Sequence, residues 1–391
     1  MMDYDKLLNK TVAEIPPSGI RKFFDLAATM DDVISLGVGE PDFNTPWAIR
    51  EAGIYSLERG RTFYTANAGL AELREEICRY TQRKYGISYN PNGETLVTVG
   101  GSEAIDLMIR SVVNPGDEVI IPEPSFVCYK PITRLAGGVP VVIETLEKDE
   151  FRLTPEQLRA AITPKTKVLI LPFPNNPTGG VMKREDFEAI AEVLRGTDIL
   201  VLSDEIYSEL RYDDAPPVTF SAIDGMKERT ILVNGFSKAF AMTGWRLGYA
   251  LGPEKIIKQM IKVHQYGIMS SPTTSQFAAI EALRSCDNDV EEMRREYNYR
   301  RRYIVDGFRK MGLSCFEPLG AFYVFPCIKR TGMTSEEFCN RLLNEERVAC
   351  VPGNAFGSSG EGYIRCSYAY SIDNLEKALE RIGRFVEKYI K

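Results

Sequence analysis

The sequence predicts an α/β protein with a large domain, whose mainly parallel sheet is flanked by helices, and a smaller α+β domain. From Thr95 to Val233, short continuous apolar runs alternate with helical segments, as expected for parallel strands that are buried on both faces. A chain of 391 residues also exceeds one ordinary core. We predict that residues 1–45 contribute to the small domain, that 46–288 form the large domain, and that 289–391 form the C-terminal small domain.

Composition and charge narrow the functional classes. The apolar and charged fractions, 44% and 26%, are those of a soluble globular protein. A net charge of −6 without a dense basic run argues against nucleic-acid binding. The sequence has neither an apolar stretch of membrane-spanning length nor the basic and apolar regions of a signal peptide at its start. We therefore expect a protein that contacts neither nucleic acid nor membrane.

Cysteine and histidine usage indicate the compartment and limit the chemistry. Eight cysteines are scattered without a C-x-x-C pair, which is typical of reduced thiols in a cytoplasmic protein. His264 is the single histidine, so a histidine-based metal cluster is excluded and no metal is expected. An enzyme of this sequence would need another group for acid–base chemistry.

The elements follow in order along the chain. A glycine- and proline-rich turn at 37–43 precedes a helix at about 46–59 and an amphipathic helix at 70–85. The predicted strands are 96–99, 118–121, 139–143, 167–171, 199–202 and 230–233, with helices near 102–113, 125–136, 155–162 and 184–195. Helices near 254–266 and 273–284, a charged segment at 289–309 that resembles a long solvated helix, and an α+β pattern with segments at 321–325, 334–346, 348–351, 363–366 and from 373 complete the chain.

Polar loops follow four of the predicted strands, at 100–103, 175–179, 204–207 and 235–238. In an open parallel sheet, ligands bind beyond the carboxyl ends of the strands. We therefore expect these loops to converge on one crevice.

Lys238 lies in the most distinctive of these loops, among apolar and small residues and shortly after the apolar run Ile231–Val233. Burial lowers the pKa of a lysine, and a neutral amine is the form that makes a Schiff base with a carbonyl. Taken alone, the same residue is more typical of an ordinary surface lysine that follows a strand, and the other loops of the chain decide between the two interpretations.

The other loops leave comparable alternatives open. Glycines at 100 and 101 before a helix suit a phosphate, whereas Ser102 could simply cap that helix. Asp204 could cap a turn or pair with a buried cationic ring nitrogen, Asn176 could serve an ordinary turn, and Tyr207 could be a core tyrosine.

Taken together, these motifs resemble the class I aminotransferases of the pyridoxal-phosphate fold type I superfamily. The resemblance covers nearly the whole chain and is closest to the prokaryotic and archaeal branch with aromatic and aspartate aminotransferases. The motifs that carry it are Gly37-Val-Gly-Glu-Pro-Asp-Phe43, Asn175-Asn-Pro-Thr-Gly179, Ser203-Asp-Glu-Ile-Tyr207, Gly235-Phe-Ser-Lys-Ala-Phe-Ala-Met-Thr-Gly-Trp-Arg-Leu-Gly248 and Tyr363-Ile-Arg365.

The resemblance implies pyridoxal 5′-phosphate as the cofactor, bound in the large domain. Lys238 would hold it covalently and, once displaced by the incoming amino acid, would carry the proton between Cα and the cofactor. Asp204 would pair with the pyridine nitrogen and keep it protonated. Asn176 and Tyr207 would hydrogen-bond the 3-oxygen of the ring, and Phe126 would stack on the ring.

The resemblance also implies a phosphate site and a homodimer. Arg246, Ser237 and the backbone of Ser102 and Glu103 would bind the phosphate. Tyr64 matches a tyrosine that, in the family, reaches the phosphate from the neighbouring subunit. The active sites would therefore be shared between two copies of the chain.

For the substrate, the resemblance implies that Arg365 binds the α-carboxylate through a bidentate contact, with the Gly39 backbone and Asn176 beside it. The expected reaction moves an amino group from an L-amino acid to a 2-oxo acid such as 2-oxoglutarate by a ping-pong mechanism. Aromatic donors are favoured because residues 18–25 are similar to the aromatic-active members.

Three alternatives remain open. The first is an aspartate or broad-specificity aminotransferase, although no motif identifies the second cation that an acidic side chain needs. The second is a carbon–sulfur lyase with the same cofactor site. The third is a non-catalytic regulator that senses the cofactor, which is disfavoured because the roughly 45 residues before the first large-domain helix are too few for a DNA-binding domain of usual size.

Overall fold

The structure is a computed structural model that describes residues 2–17, 19 and 30–390. Within these residues the strands are β1 (Ile34–Ser35), β2 (Thr95–Thr98), β3 (Glu118–Glu123), β4 (Val139–Glu144), β5 (Thr166–Leu171), β6 (Leu200–Asp204), β7 (Thr230–Gly235), β8 (Gly248–Leu251), β9 (Tyr323–Val324), β10 (Val348–Ala349), β11 (Val351–Pro352) and β12 (Ile364–Ser367). The helices are α1 (Lys10–Glu14), α2 (Trp47–Glu58), α3 (Ala71–Tyr85), α4 (Gly101–Val112), α5 (Tyr129–Leu135), α6 (Pro155–Ala161), α7 (Arg184–Leu194), α8 (Glu254–Gly267), α9 (Thr273–Ser285), α10 (Asp287–Lys310), α11 (Ser335–Glu346) and α12 (Ile372–Tyr389).

Seven strands form the central sheet, in the order β2-β8-β7-β6-β5-β3-β4. The neighbours from β7 to β4 are parallel, whereas β8 is antiparallel to both β7 and β2. A parallel crossover needs a helix-length connection, and residues 236–247 between β7 and β8 form no α-helix. The predicted α/β class is confirmed, and β8 is a strand that the sequence analysis did not predict.

The strands of this sheet are buried because both of their faces are covered. Along β5, Val168 and Ile170 pack into a core with residues of α4 and α8, whereas Leu169 and Leu171 pack into another with residues of α7. Alternate side chains of a strand point to opposite faces. The continuous apolar runs of the sequence therefore serve two cores at once.

The N-terminal segment shares a sheet with the C-terminal part of the chain. β1 pairs in parallel with β10, and β11, β12 and β9 form a separate antiparallel sheet. The proposed boundaries at 45/46 and 288/289 remain a prediction. The segment 18–25, from which aromatic specificity was inferred, lies outside the described residues except for Gly19.

The expectation of a solvated helix at 289–309 is wrong for one face of α10. Val290, Met293, Tyr297, Ile304 and Phe308 are buried, at the three- and four-residue spacing of a helix stripe. The many charged residues lie between these positions and mask the stripe in the sequence. None of the helices described is long and apolar enough to cross a membrane.

Candidate active site

The polar loops at the carboxyl ends of the strands meet Gly37–Gly39 and Arg365. β6 ends at Asp204, the loop after β7 carries Lys238, and the loop after β5 carries Asn176. The following contacts link these segments.

Lys238 reaches across to the N-terminal segment. Its Nζ is partly buried and donates a hydrogen bond to the carbonyl of Gly39 at 2.6 Å. It lies 5.9 Å from the ring centre of Tyr207 and 5.8 Å from that of Phe322. Burial lowers the pKa of Lys238 to about 8; Glu40 opposes this shift, and Arg365 and Arg246 add to it. Lys238 is therefore not the free surface lysine of the alternative interpretation, and its pKa is lower than that of an ordinary lysine.

Asp204 is a buried carboxyl group at the end of β6. Its Oδ2 accepts a hydrogen bond from the Tyr129 hydroxyl at 2.7 Å, and its Oδ1 accepts one from the Ile206 backbone N–H at 3.3 Å. Burial raises the pKa of Asp204, while these two hydrogen bonds act against the shift. Asp204 thus caps a turn, as one alternative held, and also has a side-chain partner, Tyr129, that no motif in the sequence had indicated.

Two tyrosines meet beside Lys238. The hydroxyls of Tyr207 and Tyr323 are 2.8 Å apart, and burial is the main reason that the pKa of each is raised. Tyr323 also explains the glycine at 39, because a Cβ on Gly39 would stand 2.6 Å from the Tyr323 hydroxyl. The sequence analysis missed Tyr323, whose only signal was its place in the aromatic run 321–325.

Arg365, on β12, is buried between two aromatic rings. Its guanidinium carbon lies 4.4 Å from the ring centre of Tyr323 and 4.9 Å from that of Phe356. One terminal nitrogen donates to Asn176 Oδ1 at 3.0 Å and the other donates to the carbonyl of Gly37, while Nε has no partner among the described residues. Since an arginine stays charged when buried, this is a fixed, incompletely satisfied cation.

The end of the β2–α4 loop, the first turn of α4 and Arg246 form what we call the anion cradle, consisting of Gly100, Gly101, Ser102, Glu103 and Arg246. Gly100 has φ +79°, and a Cβ there would stand 2.7 Å from a terminal nitrogen of Arg246. The helix begins at Gly101 with Gly100 as its N-cap, so the alternative that Ser102 caps it is wrong. The first backbone N–H groups of α4 and the Arg246 guanidinium are therefore neighbours, and donors of this kind suit an anion.

The surroundings of three further predicted site residues differ. Tyr64 is 81% exposed. Phe126 packs edge-on against Tyr129, with ring centres 6.0 Å apart, and Ser237 is buried beside Lys238. Their expected roles stay predictions.

A cavity of about 530 Å³ adjoins Phe126 and Phe356, the latter packed under Arg365. Charged residues of its lining include Glu123, Lys130 and Arg134. Lys130 is paired with Glu123 at 2.6 Å, whereas the side chain of Arg134 makes no hydrogen bond or ion pair with the described residues. The sequence analysis found no second cation for an acidic side chain, and this cavity contains two candidates.

Comparison with known proteins supports the resemblance. Residues 31–382 match the family model described as aminotransferase class I and II. The Bacillus subtilis (strain 168) protein YugH is 55% identical over 97% of this chain and 98% of its own length. An aspartate aminotransferase of Pyrococcus abyssi is 47% identical, with 96% and 97% covered.

A solved structure agrees with the fold. The aromatic aminotransferase of Pyrococcus horikoshii OT3 is 45% identical to this chain, with a TM-score of 0.90, and the match covers 94% of this chain and 99% of that one. The chain therefore belongs to the class I and II aminotransferase family, within the branch that contains aspartate and aromatic aminotransferases.

Proposed function

We propose that this aminotransferase uses pyridoxal 5′-phosphate to move the amino group of an L-amino acid, preferably an aromatic one, to a 2-oxo acid such as 2-oxoglutarate. One observation carries the proposal: Lys238 and Arg365 donate hydrogen bonds to carbonyls only two residues apart, those of Gly39 and Gly37. An amine that exchanges protons and a cation that binds a carboxylate are the two groups that an α-amino acid requires.

The polar groups fit the proposed cofactor. The anion cradle suits its phosphate, with Ser237 nearby. The Asp204 carboxylate suits a protonated ring nitrogen, and Asn176 and Tyr207 suit the ring oxygen, with Phe126 against the ring face. When bound, pyridoxal phosphate supplies a conjugated ring that accepts the electron pair left on Cα after proton removal.

The residues of the chain would then divide the work of a ping-pong reaction. Arg365 orients the α-carboxylate, next to Asn176 and the Gly39 backbone. The pKa of Lys238 is lowered to about 8, which increases the neutral fraction of the amine, and the neutral form would carry the proton between Cα and the cofactor. Asp204 would stay charged because it faces the protonated ring nitrogen of the cofactor, and it would stabilise the protonated form of that nitrogen. The second 2-oxo acid reverses these steps.

An exposed apolar surface supports a homodimer. Phe63 and Tyr64 are each 81% exposed and Tyr266 is 86% exposed, with Ile268 and Met269 also exposed nearby in sequence. Two hydrogen bonds hold segment 63–67 against segment 269–273. Thr273 donates to the Phe63 carbonyl, and Asn67 donates to the Met269 carbonyl. An apolar surface of this kind marks a contact site, and Tyr64 would there reach a second copy's cradle. Sedimentation is expected to give a dimer, and a monomer at micromolar concentration would contradict it.

All eight cysteines are free thiols in the structure. A reducing compartment keeps such thiols free. This supports the proposed cytoplasmic location.

Substrate preference is tested by a donor and acceptor panel. With 2-oxoglutarate as acceptor, kcat/KM is expected to be higher for phenylalanine and tyrosine than for aspartate and alanine. The aspartate or broad-specificity alternative is favoured by Lys130 and Arg134 at the cavity. A strong preference for aspartate, lost in Arg134→Gln, would replace the aromatic proposal with that one.

The same panel separates transfer from elimination. A transferase releases no ammonia when cystathionine or cysteine is given without a 2-oxo acid. Ammonia and pyruvate formation under those conditions would favour the carbon–sulfur lyase. A protein that binds the cofactor but transfers nothing in any combination would favour the regulator.

A further inference from the structure

The single histidine of the chain is buried behind the anion cradle. His264 lies in α8, is 0% exposed, and its Nδ1 is 2.8 Å from Oε1 of Glu103, the third residue of α4. Its Nε2 has no hydrogen-bond partner among the described residues. The pair therefore links two helices at the point where α4 begins, and the reaction as proposed above does not use it.

Glu103 holds the backbone of the cradle with its other oxygen. Oε2 accepts a hydrogen bond from the backbone N–H of Val99, the residue before Gly100. A single side chain thus closes the loop from Val99 to Glu103 on itself. The Glu103 side chain is only 13% exposed, so this hydrogen bond is largely shielded from water.

The same loop is confined on two other sides. A Cβ on Gly248 of β8 would stand 2.6 Å from the carbonyl carbon of Gly100 and the nitrogen of Gly101. Arg246 lies against Gly100 on the cradle side. Thr98 Oγ1 also donates a hydrogen bond to the carbonyl of Gly100 at 2.9 Å, and the Glu103 carboxylate is the contact that ties the residue before Gly100 to the first turn of α4.

The charge of Glu103 requires a partner. A carboxylate in the first turn of a helix is attracted by the helix dipole and would compete with a phosphate at the same end. An N–H from His264 Nδ1 fixes Oε1 on the far side and offsets part of its charge. Without that donor, Oε1 is left unpaired in the interior, which is costly for a charged group, and only the hydrogen bond from the Val99 N–H holds the carboxylate in place.

We propose that His264 and Glu103 form a positioning pair that holds the 99–103 loop in its phosphate-binding shape. The inference rests on the proposed function, because the anion is taken to be the cofactor's phosphate. In this pair the N–H of the His264 ring is on Nδ1 and donates a hydrogen bond to Oε1 of Glu103. The side chains of the pair act on the phosphate only through the loop backbone.

The test compares two ligands that differ only in the phosphate. Dissociation constants of pyridoxal 5′-phosphate and of pyridoxal are measured on cofactor-stripped full-length chain. In His264→Phe, which keeps bulk but loses the donor, the phosphorylated ligand is expected to bind about tenfold more weakly, or about 1.4 kcal/mol, with pyridoxal unchanged. His264→Gln, which can still donate to Glu103, is expected to recover most of the affinity.

Equal weakening of both ligands, or no weakening of either, would overturn the positioning role. If His264→Phe does not fold, Glu103→Ala replaces it in the test. It is expected to show the same loss of affinity for pyridoxal 5′-phosphate, with the affinity for pyridoxal unchanged. Failure of the wild-type chain to bind either ligand would instead overturn the proposed function.

A second readout does not depend on binding. Because the chain has one histidine, its ¹⁵N imidazole spectrum reports this ring alone. A proton on Nδ1 is expected in the wild type. An Nδ1 that carries no proton would contradict the proposed hydrogen bond.

Discussion

The two sides of the candidate site hold their charged groups differently. On the sheet side, Asp204 is tied to Tyr129 and to the Ile206 backbone, all within the part of the chain that forms the seven-stranded sheet. On the opposite side, Arg365 is tied to the carbonyl of Gly37 and to Asn176, which are far from it in sequence. The first side is fixed by its own fold, whereas the second is assembled from separate segments.

This difference separates chemistry from substrate binding. Hydrogen bonds within a rigid scaffold keep a catalytic group in one geometry. The N–H donors of Arg365 and Lys238 that a substrate would use are bonded to backbone carbonyls. A substrate must therefore replace those carbonyls when it binds. Lys238 belongs to both sides, since it follows β7 and donates to Gly39.

The largest effect is expected at this shared residue. Lys238→Ala removes the amine that would bind the cofactor and transfer the proton. Transamination should fall by at least about 10,000-fold, and the visible or near-ultraviolet band of the bound cofactor should not form. Lys262→Ala, at an exposed lysine of α8, is the control and should leave both unchanged. Unchanged absorbance in Lys238→Ala would refute the assignment.

The next effect tests the sheet side. Asp204→Asn removes the charge but keeps the shape, and kcat is expected to fall by about 100- to 1,000-fold, as when a preorganised electrostatic partner is lost. Glu205→Gln is the matched control, since Glu205 is also buried but accepts hydrogen bonds from Ser203 and Thr219. A larger loss of kcat in Glu205→Gln than in Asp204→Asn would break the comparison.

The opposite side is tested by Arg365→Lys, which keeps the charge but loses the planar fork. The KM for phenylalanine should rise about 10- to 100-fold, the range expected when a hydrogen bond to a charged group is lost. For phenethylamine, which has no carboxylate, the wild type and Arg365→Lys should have the same KM. An equal loss with both amines would show that Arg365 does not read the carboxylate.

The smallest effect concerns pH. Burial lowers the pKa of Lys238 to about 8, and only the neutral amine attacks an aldehyde. The rate of cofactor loading onto stripped protein should therefore rise about tenfold per pH unit below pH 8 and level off above it. Stopped-flow absorbance measures this rate. A rate that continues to rise up to pH 10 would mean that the amine is not shielded from water in solution.

The sheet side was also the easier one to predict. Each of its polar groups comes shortly after an apolar run, so strand recognition alone predicted that Asn176, Asp204 and Lys238 lie at one edge of the sheet. The parallel order of β3 to β7 follows from the alternation of strands and helices. β8 was missed because no α-helix separates it from β7, so the alternation of strands and helices gives no signal for it.

Contacts between distant segments could not be read from the sequence. Nothing local shows that the Tyr129 hydroxyl meets Asp204, that Tyr323 meets Tyr207, or that Glu103 turns toward His264. The buried face of α10 did leave a signal, at Val290, Met293, Tyr297, Ile304 and Phe308, which the surrounding charges obscured.

The central claim, that the Lys238 amine carries the cofactor, is tested most directly by reduction and peptide mapping. Purified protein loaded with pyridoxal 5′-phosphate is treated with borohydride, digested and analysed by mass spectrometry. The account predicts a single stoichiometric modification, on the peptide that contains Lys238. A modification on another lysine, or none at all in protein that has bound the cofactor, would contradict it.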